Sequence, residues 1–222
     1  MTETELKETI ARIASPDEAA RAAAHAHWAK LAKPLGGLGR LETMIEDAAA
    51  LTGREDIDVS RRAVFVLCAD NGVVAQGVSQ TDQSVTRAVA ENLARRTTSV
   101  CQMAETAHCD VVPVDIGMAG EKVHGVLDRR IADGTADFTQ GPAMTRAQAE
   151  RAMAIGISAV DRAARDGIQI LGAGEMGIGN TSTSSAVLSA LLNLPAEETV
   201  SRGGGVNDAG FLHKKEIIDS AI

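Results

Sequence analysis

The sequence predicts an α/β fold: a three-layer, Rossmann-like and mostly parallel sheet with a small N-terminal helical lobe. Three observations point there. Ala63-Val-Phe-Val-Leu-Cys-Ala69 and Val111-Val-Pro-Val-Asp115-Ile-Gly117 are short apolar runs, as expected of strands covered on both faces. Helix-compatible segments alternate with them. The first run ends in a polar, glycine-bearing loop and the second in Asp115, and strand carboxyl ends are where open parallel sheets bind ligands. Residues 1–55 read as the helical lobe and 56–222 as the α/β domain. A chain of 222 residues can bury roughly 70% of its unfolded surface in one large domain.

Each element has a local reason. Ser15-Pro16-Asp17-Glu18 is a helix start with Ser as N-cap and Pro at the first helical position, opening an Ala-rich helix to about Lys30. Lys33-Pro-Leu-Gly-Gly-Leu-Gly-Arg-Leu-Glu42 breaks it, and a second helix runs from about Arg40 to Thr52. His25 and His27 are two apart on a helix and face different directions, which argues against a metal pair. After the first strand, helices are expected from about Gln83 to Arg95 and from Ser99 to Ala107. Pro113 pushes the second strand toward a sheet edge. Gly134 to Pro142 reads as loop or short strand. Thr145-Arg-Ala-Gln148 is a capping box opening a helix to Arg165. A third strand follows, then a helix stopped at Leu194 before Pro195. Ser201-Arg-Gly-Gly-Gly-Val-Asn-Asp208 precedes a last helix that reaches Ile222 with no stop signal, so the chain is expected to be cut short.

Composition excludes several classes. The charge is −8, from 22 basic and 30 acidic residues, with one Trp, no Tyr and three Phe. Such a chain has neither a basic stripe nor a stacking platform for nucleic acid. The polar, acidic amino terminus does not resemble a signal peptide, and no apolar run approaches the ~18 residues of a membrane helix. Cys68, Cys101 and Cys109 are odd in number and lack metal-ligand spacing. Buried, reduced thiols in a soluble cytoplasmic protein are expected.

The stretch around which the chain is organised is Gln169-Ile-Leu-Gly-Ala-Gly-Glu-Met-Gly-Ile-Gly-Asn-Thr-Ser-Thr-Ser-Ser185. It reads as a strand, a loop with Gly172, Gly174, Gly177 and Gly179, and a helix N-terminus. Glycines let the backbone approach a ligand, and the first helical N–H groups favour an anion. Glu175 stands within that loop, where a second negative charge is unfavourable unless it serves chemistry. The Gly172-x-Gly174-x-x-Gly177 spacing fits a dinucleotide fingerprint, but Glu175 would face the pyrophosphate. The acidic residue expected roughly 20 residues on, at the end of a second strand, has no strand before it. No Gly-Lys-Ser/Thr closes the loop, and the paired acids that would hold a diphosphate through magnesium are missing. A monophosphate ligand without a metal or other cofactor fits better. Asp70, Asp115 and Asp208 sit at strand ends or a helix start, where capping and ligand contact are both open.

These residues resemble the nicotinate-nucleotide–dimethylbenzimidazole phosphoribosyltransferase family, which builds the lower nucleotide loop of cobalamin. The resemblance rests on residues 33–42, Ala69-Asp-Asn-Gly-Val-Val74 with Gly77-Val-Ser79 and Val85-Thr86, Asp115-Ile-Gly117, Gly134-Thr135, Gly141-Pro-Ala-Met-Thr145, Gly174-Glu-Met-Gly-Ile-Gly-Asn-Thr181 and residues 203–208. It implies a Rossmann-like nucleotide-binding domain, usually in a homodimer, that moves phosphoribose from nicotinate mononucleotide to a benzimidazole-type base. It implies further that Glu175 acts at the ribose and acceptor as electrostatic stabiliser or base. Gly174, Gly177, Gly179, Asn180 and Thr181 would form the nucleotide site with Gly203, Gly205, Asp208 and Lys214, while the segment from Ser79 to Gln83 would line the acceptor pocket, with Gln83 a polar contact to its ring. Gly37, Asn71 and Asp137 stand where the family commonly has Ser, His and Asn. Gly204 and Asn207 also depart from its second glycine cluster, which leaves the acceptor base open. The family's second glutamate, usually assigned as the base, falls beyond residue 222. A catalytically incomplete nucleotide-binding subunit is therefore the alternative reading.

Overall fold

The computed structural model describes residues 2–222. The chain divides into one unit ending at Ser60 and a second, Arg61–Ile222.

The first unit holds α1 (Glu3–Ala11), α2 (Glu18–Trp28) and α3 (Arg40–Thr52). α1 is not among the sequence expectations, although Thr2 and Glu5 close a capping box at its start. α2 begins later than Ser15-Pro16 suggests, because Asp17 is the N-cap and accepts from the N–H groups of Ala19 and Ala20. α3 spans the expected residues, stopped by Gly53 in the left-handed region. Between α2 and α3 the Pro/Gly-rich segment is tied by an ion pair. Lys33 Nζ lies 2.8 Å from Glu42 Oε1, which also accepts from the Leu38 N–H at 3.0 Å. The Lys33 ammonium and then the Leu38 amide hold the Glu42 carboxyl below its usual range.

The second unit is built on a four-stranded sheet, in the order β3-β2-β1-β4: β1 (Arg62–Ala69), β2 (Cys109–Gly117), β3 (Leu127–Asp128) and β4 (Ile170–Met176). Every pairing is parallel, so the fold is α/β with N-terminal helices, as the sequence predicts. Pro113 sits in β2 one residue before the short β3 pairing at Val114 and Asp115, close to the edge position its missing N–H requires. The chain runs from β1 through a 3-10 turn (Gly72–Gln76), α4 (Ser84–Ala94) and α5 (Ser99–Thr106) to β2, then back through α6 (Arg146–Arg165) to β4 on the other side of β1. The direction of chain order thus reverses at β1, the place where open α/β sheets form ligand crevices.

The core explains this order. Val66 and Cys68 of β1 pack with Ala90 and Leu93 of α4, Cys101 and Ala104 of α5, and Val111 of β2. Burial, with Asp115 nearby, pushes the Cys68 thiol up to about 12, so it stays an inert core residue. A second cluster joins α7 (Asn180–Leu192), α8 (Ala196–Thr199) and α9 (Asp208–Ala221) through Ala186, Ala196, Val200 and Ile218. Ser185 and Ser189 of α7 bond the carbonyl and hydroxyl of Thr199, and Asp219 of α9 accepts from the Ala196 N–H. Lys214 lies one turn before Ile218 and therefore shares its inward face.

One expectation is corrected. Gly172, Gly174 and Glu175 belong to β4 and not to a loop, since they pair in register with Val64, Val66 and Leu67 of β1. The glycine turn contracts to Gly177–Gly179, so the dinucleotide-like spacing does not describe one loop.

Candidate functional site

The site grows from the carboxyl ends of β1 and β4. Asn71, just past β1, is buried and fully used. Its Nδ2 donates to the Ile178 carbonyl at 3.1 Å, its Oδ1 accepts from Thr183 Oγ1 at 2.9 Å, and its own carbonyl accepts from Gln83 Nε2 at 2.9 Å. The buried Thr86 hydroxyl accepts from the Ile178 N–H at 3.0 Å. Both peptide groups of Ile178 are thereby fixed, and the turn after β4 has one shape. Only glycine fits at 177, where a Cβ would lie 2.1 Å from the Ala69 carbonyl oxygen, and Gly179 has φ +85°.

That turn delivers α7 with Gly179 as its N-cap and no side-chain cap; the Asn180 and Ser182 N–H groups donate to the Gly177 and Gly179 carbonyls, which leaves the Thr181 N–H and the positive end of the helix dipole for a partner. The helix start borders a cavity of about 190 Å³ whose lining includes Ser79, Gly177, Gly179, Asn180, Thr181 and Lys214. Lys214 is 1% exposed. Its Nζ donates to Thr181 Oγ1 at 2.8 Å and to the Ser201 carbonyl at 3.1 Å; among the described residues no carboxylate pairs with it. Burial pushes the Lys214 ammonium below its ordinary value, because desolvation disfavours the charged form. No Asp or Glu is among the described lining residues. A buried cation, an uncapped helix start and hydroxyls around one cavity can hold an anion.

The other sequence-predicted residues surround this cavity without all facing it. Gly203 does not line it but packs on two residues that do: a Cβ at 203 would lie 2.5 Å from Thr181 Oγ1 and 3.4 Å from Lys214 Nζ. Gly205 offers its carbonyl to Gln80 Nε2, tying the second glycine cluster to the loop after β1, and His213 Nε2 donates to the Gln76 carbonyl at 2.6 Å. Gly174 lies within β4 against the Phe65 carbonyl. Gln83 commits its amide to Asn71. Asp208 is exposed and pairs with Arg202. Glu175 is exposed at the end of β4 and accepts from Ser184 Oγ at 3.4 Å. It lines a separate groove of about 350 Å³ with Asn71, Asn180 and the apolar face of α7 formed by Val187, Leu188 and Leu191. Asn180 borders both spaces, so the carboxylate and the cationic cavity lie on either side of one residue.

Gln80 and Thr81 of the expected pocket segment and Gly204 of the second glycine cluster also line the cavity, as does Arg202, to which sequence reasoning gave no role. Arg202 opens the second glycine cluster, and that adjacency is the signal the sequence offers. Asp115 and Asp70 resolve toward structure. Asp115 binds Arg130 through Nε at 3.0 Å and Nη2 at 2.7 Å and accepts from the Met118 N–H, and its carboxylate raises the Arg130 guanidinium pKa. Asp70 Oδ2 accepts from the Ala119 N–H at 2.8 Å.

A parallel sheet that brings a helix start and a buried ammonium to one cavity at its switch point defines an α/β protein with a candidate anion site. A family profile described as Phosphoribosyltransferase matches residues 13–222. The chain is 43% identical over 193 residues to the nicotinate-nucleotide–dimethylbenzimidazole phosphoribosyltransferase of Acetivibrio thermocellus, covering 86% of this chain and 55% of that protein. It is 41% identical over 219 residues to the enzyme of that name from Roseiflexus castenholzii, covering 98% and 62%. The crystal structure of CobT from Thermus thermophilus superposes with a TM-score of 0.85 at 42% identity, over 90% of this chain and 61% of that one. The chain belongs to the nicotinate-nucleotide–dimethylbenzimidazole phosphoribosyltransferase family. It spans 55% and 62% of the length of these two curated relatives. Among the described residues no helix is long and apolar enough to cross a membrane.

Proposed function

We propose that this chain takes part in phosphoribosyl transfer from nicotinate mononucleotide to 5,6-dimethylbenzimidazole or a related base, giving α-ribazole 5'-phosphate and nicotinate for cobalamin biosynthesis. The observation that carries the reading is Lys214, a buried ammonium without a carboxylate partner beside the uncapped start of α7. A phosphate monoester would supply the missing negative charge and accept from the Thr181 N–H at the start of α7. The cavity of about 190 Å³ would take the phosphate end. The ribose would then point past Asn180 toward Glu175.

The chemistry follows from that placement. A ring nitrogen of the acceptor attacks C1' of the ribose, and the bond from C1' to the pyridinium nitrogen breaks with its electron pair on the departing ring. Nicotinate leaves with a neutral pyridine, and the acceptor's second ring nitrogen gives up its proton. C1', between the incoming and the departing nitrogen, gains oxocarbenium character, which a nearby carboxylate stabilises. Glu175 is the residue for that role, as stabiliser or as proton acceptor. The apolar face of α7 beside it suits a planar aromatic acceptor. A homodimer is part of the same reading, and light scattering tests it.

The test is chromatography of the folded chain incubated with nicotinate mononucleotide and dimethylbenzimidazole, alongside calorimetric binding of the mononucleotide. The expected result is mononucleotide binding that Lys214→Met weakens roughly ten- to a hundredfold, with release of nicotinate and α-riboside phosphate by the native chain. Binding without product would favour the second reading, a nucleotide-binding subunit, which the 55–62% coverage of relatives motivates. Absence of binding would reject both.

A further inference from the structure

The cationic cavity contains a second positive side chain. Arg202 lines it together with Lys214, and the Ser201 carbonyl immediately before Arg202 accepts from the Lys214 ammonium. The guanidinium is only loosely engaged. Its Nη1 donates to the Val206 carbonyl at 3.1 Å, its Nη2 donates to Asp208, and the group lies 5.0 Å from the centre of the Phe211 ring. The Asp208 side chain is 89% exposed, and so highly exposed an ion pair contributes little net stability. The carboxylate therefore holds Arg202 weakly, while it adds a negative charge at the rim of a cavity whose described lining is free of Asp and Glu.

We propose that Arg202 is a second phosphate-binding cation of this site and that Asp208 competes with the ligand for it. The inference rests on the anion-site reading above and deepens it. A guanidinium presents paired N–H groups that match two oxygens of a phosphate, whereas Lys214 offers a buried point charge. A dianionic phosphate between them satisfies both, and the weak contact to Asp208 is the one given up. Phe211 and the Val206 carbonyl keep the guanidinium plane at the rim while its partner changes. Asp208 then sets how strongly the site prefers a dianion over a monoanion, because its charge repels the ligand in proportion to the ligand's own.

The signs of two variants separate this from a structural role. Inorganic phosphate and nicotinate mononucleotide are titrated calorimetrically into the whole 222-residue chain, its folding checked by circular dichroism and melting temperature. Arg202→Gln is expected to weaken both on the order of ten- to a hundredfold, the range for charge-assisted hydrogen bonds. Arg202→Lys keeps the charge and falls between Arg202→Gln and the native chain. Asp208→Asn is expected to strengthen both by about two- to fivefold, the size of an exposed ion-pair effect. Nicotinate riboside, which carries the carboxylate without the phosphate, is expected to respond little to either. Unchanged phosphate affinity in folded Arg202→Gln, with binding still dependent on Lys214, overturns the role of Arg202 alone. Weaker binding in folded Asp208→Asn makes Asp208 a support and overturns the competition. A riboside response as large as the mononucleotide's assigns the cation to the carboxylate and overturns the phosphate role. A native chain that binds neither phosphate nor mononucleotide overturns the site reading, and this inference with it.

Discussion

Two buried charges in the sheet-bearing unit are treated in opposite ways. Asp115, at the end of β2, is 1% exposed and receives two bonds from Arg130 and one from the Met118 N–H. Lys214, on α9, is equally buried and meets only a hydroxyl and a carbonyl. A buried charge without a counter-charge is costly, and a chain that needed only stability would have replaced the lysine with an apolar residue. The difference teaches where to look: the balanced charge is framework, and the unbalanced one lines a cavity with no Asp or Glu in its described lining.

The largest expected effect breaks the balanced side. Asp115→Asn takes the buried carboxylate from the Arg130 guanidinium, 17% exposed, and leaves it only the exposed Asp133; removing one partner of a buried pair costs about 3–5 kcal/mol. Thermal unfolding should show it at roughly 2–4 °C per kcal/mol for a domain of this size. A melting temperature within experimental error of the native chain would show that Asp115 is not framework. The next effect concerns the turn that aims α7 at Lys214. Gly177→Ala drives a Cβ to 2.1 Å from the Ala69 carbonyl oxygen, with an expected loss of about 1–3 kcal/mol or more. Gly204→Ala, whose Cβ meets nothing within 4 Å, should stay within about 0.5 kcal/mol of native stability. Equal melting temperatures for the two would refute the claim that the turn has one permitted shape.

The unbalanced side should respond with the opposite sign. Lys214→Met removes a desolvated ammonium and is expected to raise stability by about 0.5–2 kcal/mol, as site residues often do when replaced. The same change should weaken phosphate binding roughly ten- to a hundredfold. A variant that lost stability and kept its phosphate affinity would make Lys214 framework, like Asp115, and erase the comparison.

How far the sequence shows this depends on the range of the interactions involved. α3 and α6 are legible because their signals are local: Gly53 stops one, and the Thr145–Gln148 box starts the other. α1 carries an equally local signal in Thr2 and Glu5, hidden in a terminus that reads only as polar and acidic. The end of β4 misleads because glycine density suggests loop, whereas pairing with β1 extends Gly172 and Gly174 as strand beside Val64 and Val66. Tertiary context there outweighs intrinsic preference. Family resemblance names the candidate residues as a set, but not their division into a cationic cavity and a separate Glu175 groove. That division depends on contacts such as Lys214 to Thr181, which are 33 residues apart. Arg202 stays hidden because its partner Asp208 looks like a ligand contact when read alone.

The smallest effect is the most diagnostic, because it reads the Lys214 charge directly. Burial lowers its pKa from 10.5, so between the lowered value and 10.5 the folded chain binds fewer protons than the unfolded one. Stability without ligand should therefore rise with pH across that window, as the cost of burying the charge is relieved. A bound phosphate reverses the preference, since its negative charge favours the ammonium and binding takes up a proton. Phosphate affinity should fall as pH rises above the lowered value, by at most about tenfold per pH unit. Phosphate monoesters lose their second proton near about pH 6, so a decline above roughly pH 8 belongs to the protein and not to the ligand. Lys214→Arg, which keeps its charge throughout, should bind phosphate with a flat profile over the same range. A native profile as flat as that of the arginine variant would mean that Lys214 does not carry the charge the ligand reads, and would move the anion site to Arg202 and the α7 N-terminus alone.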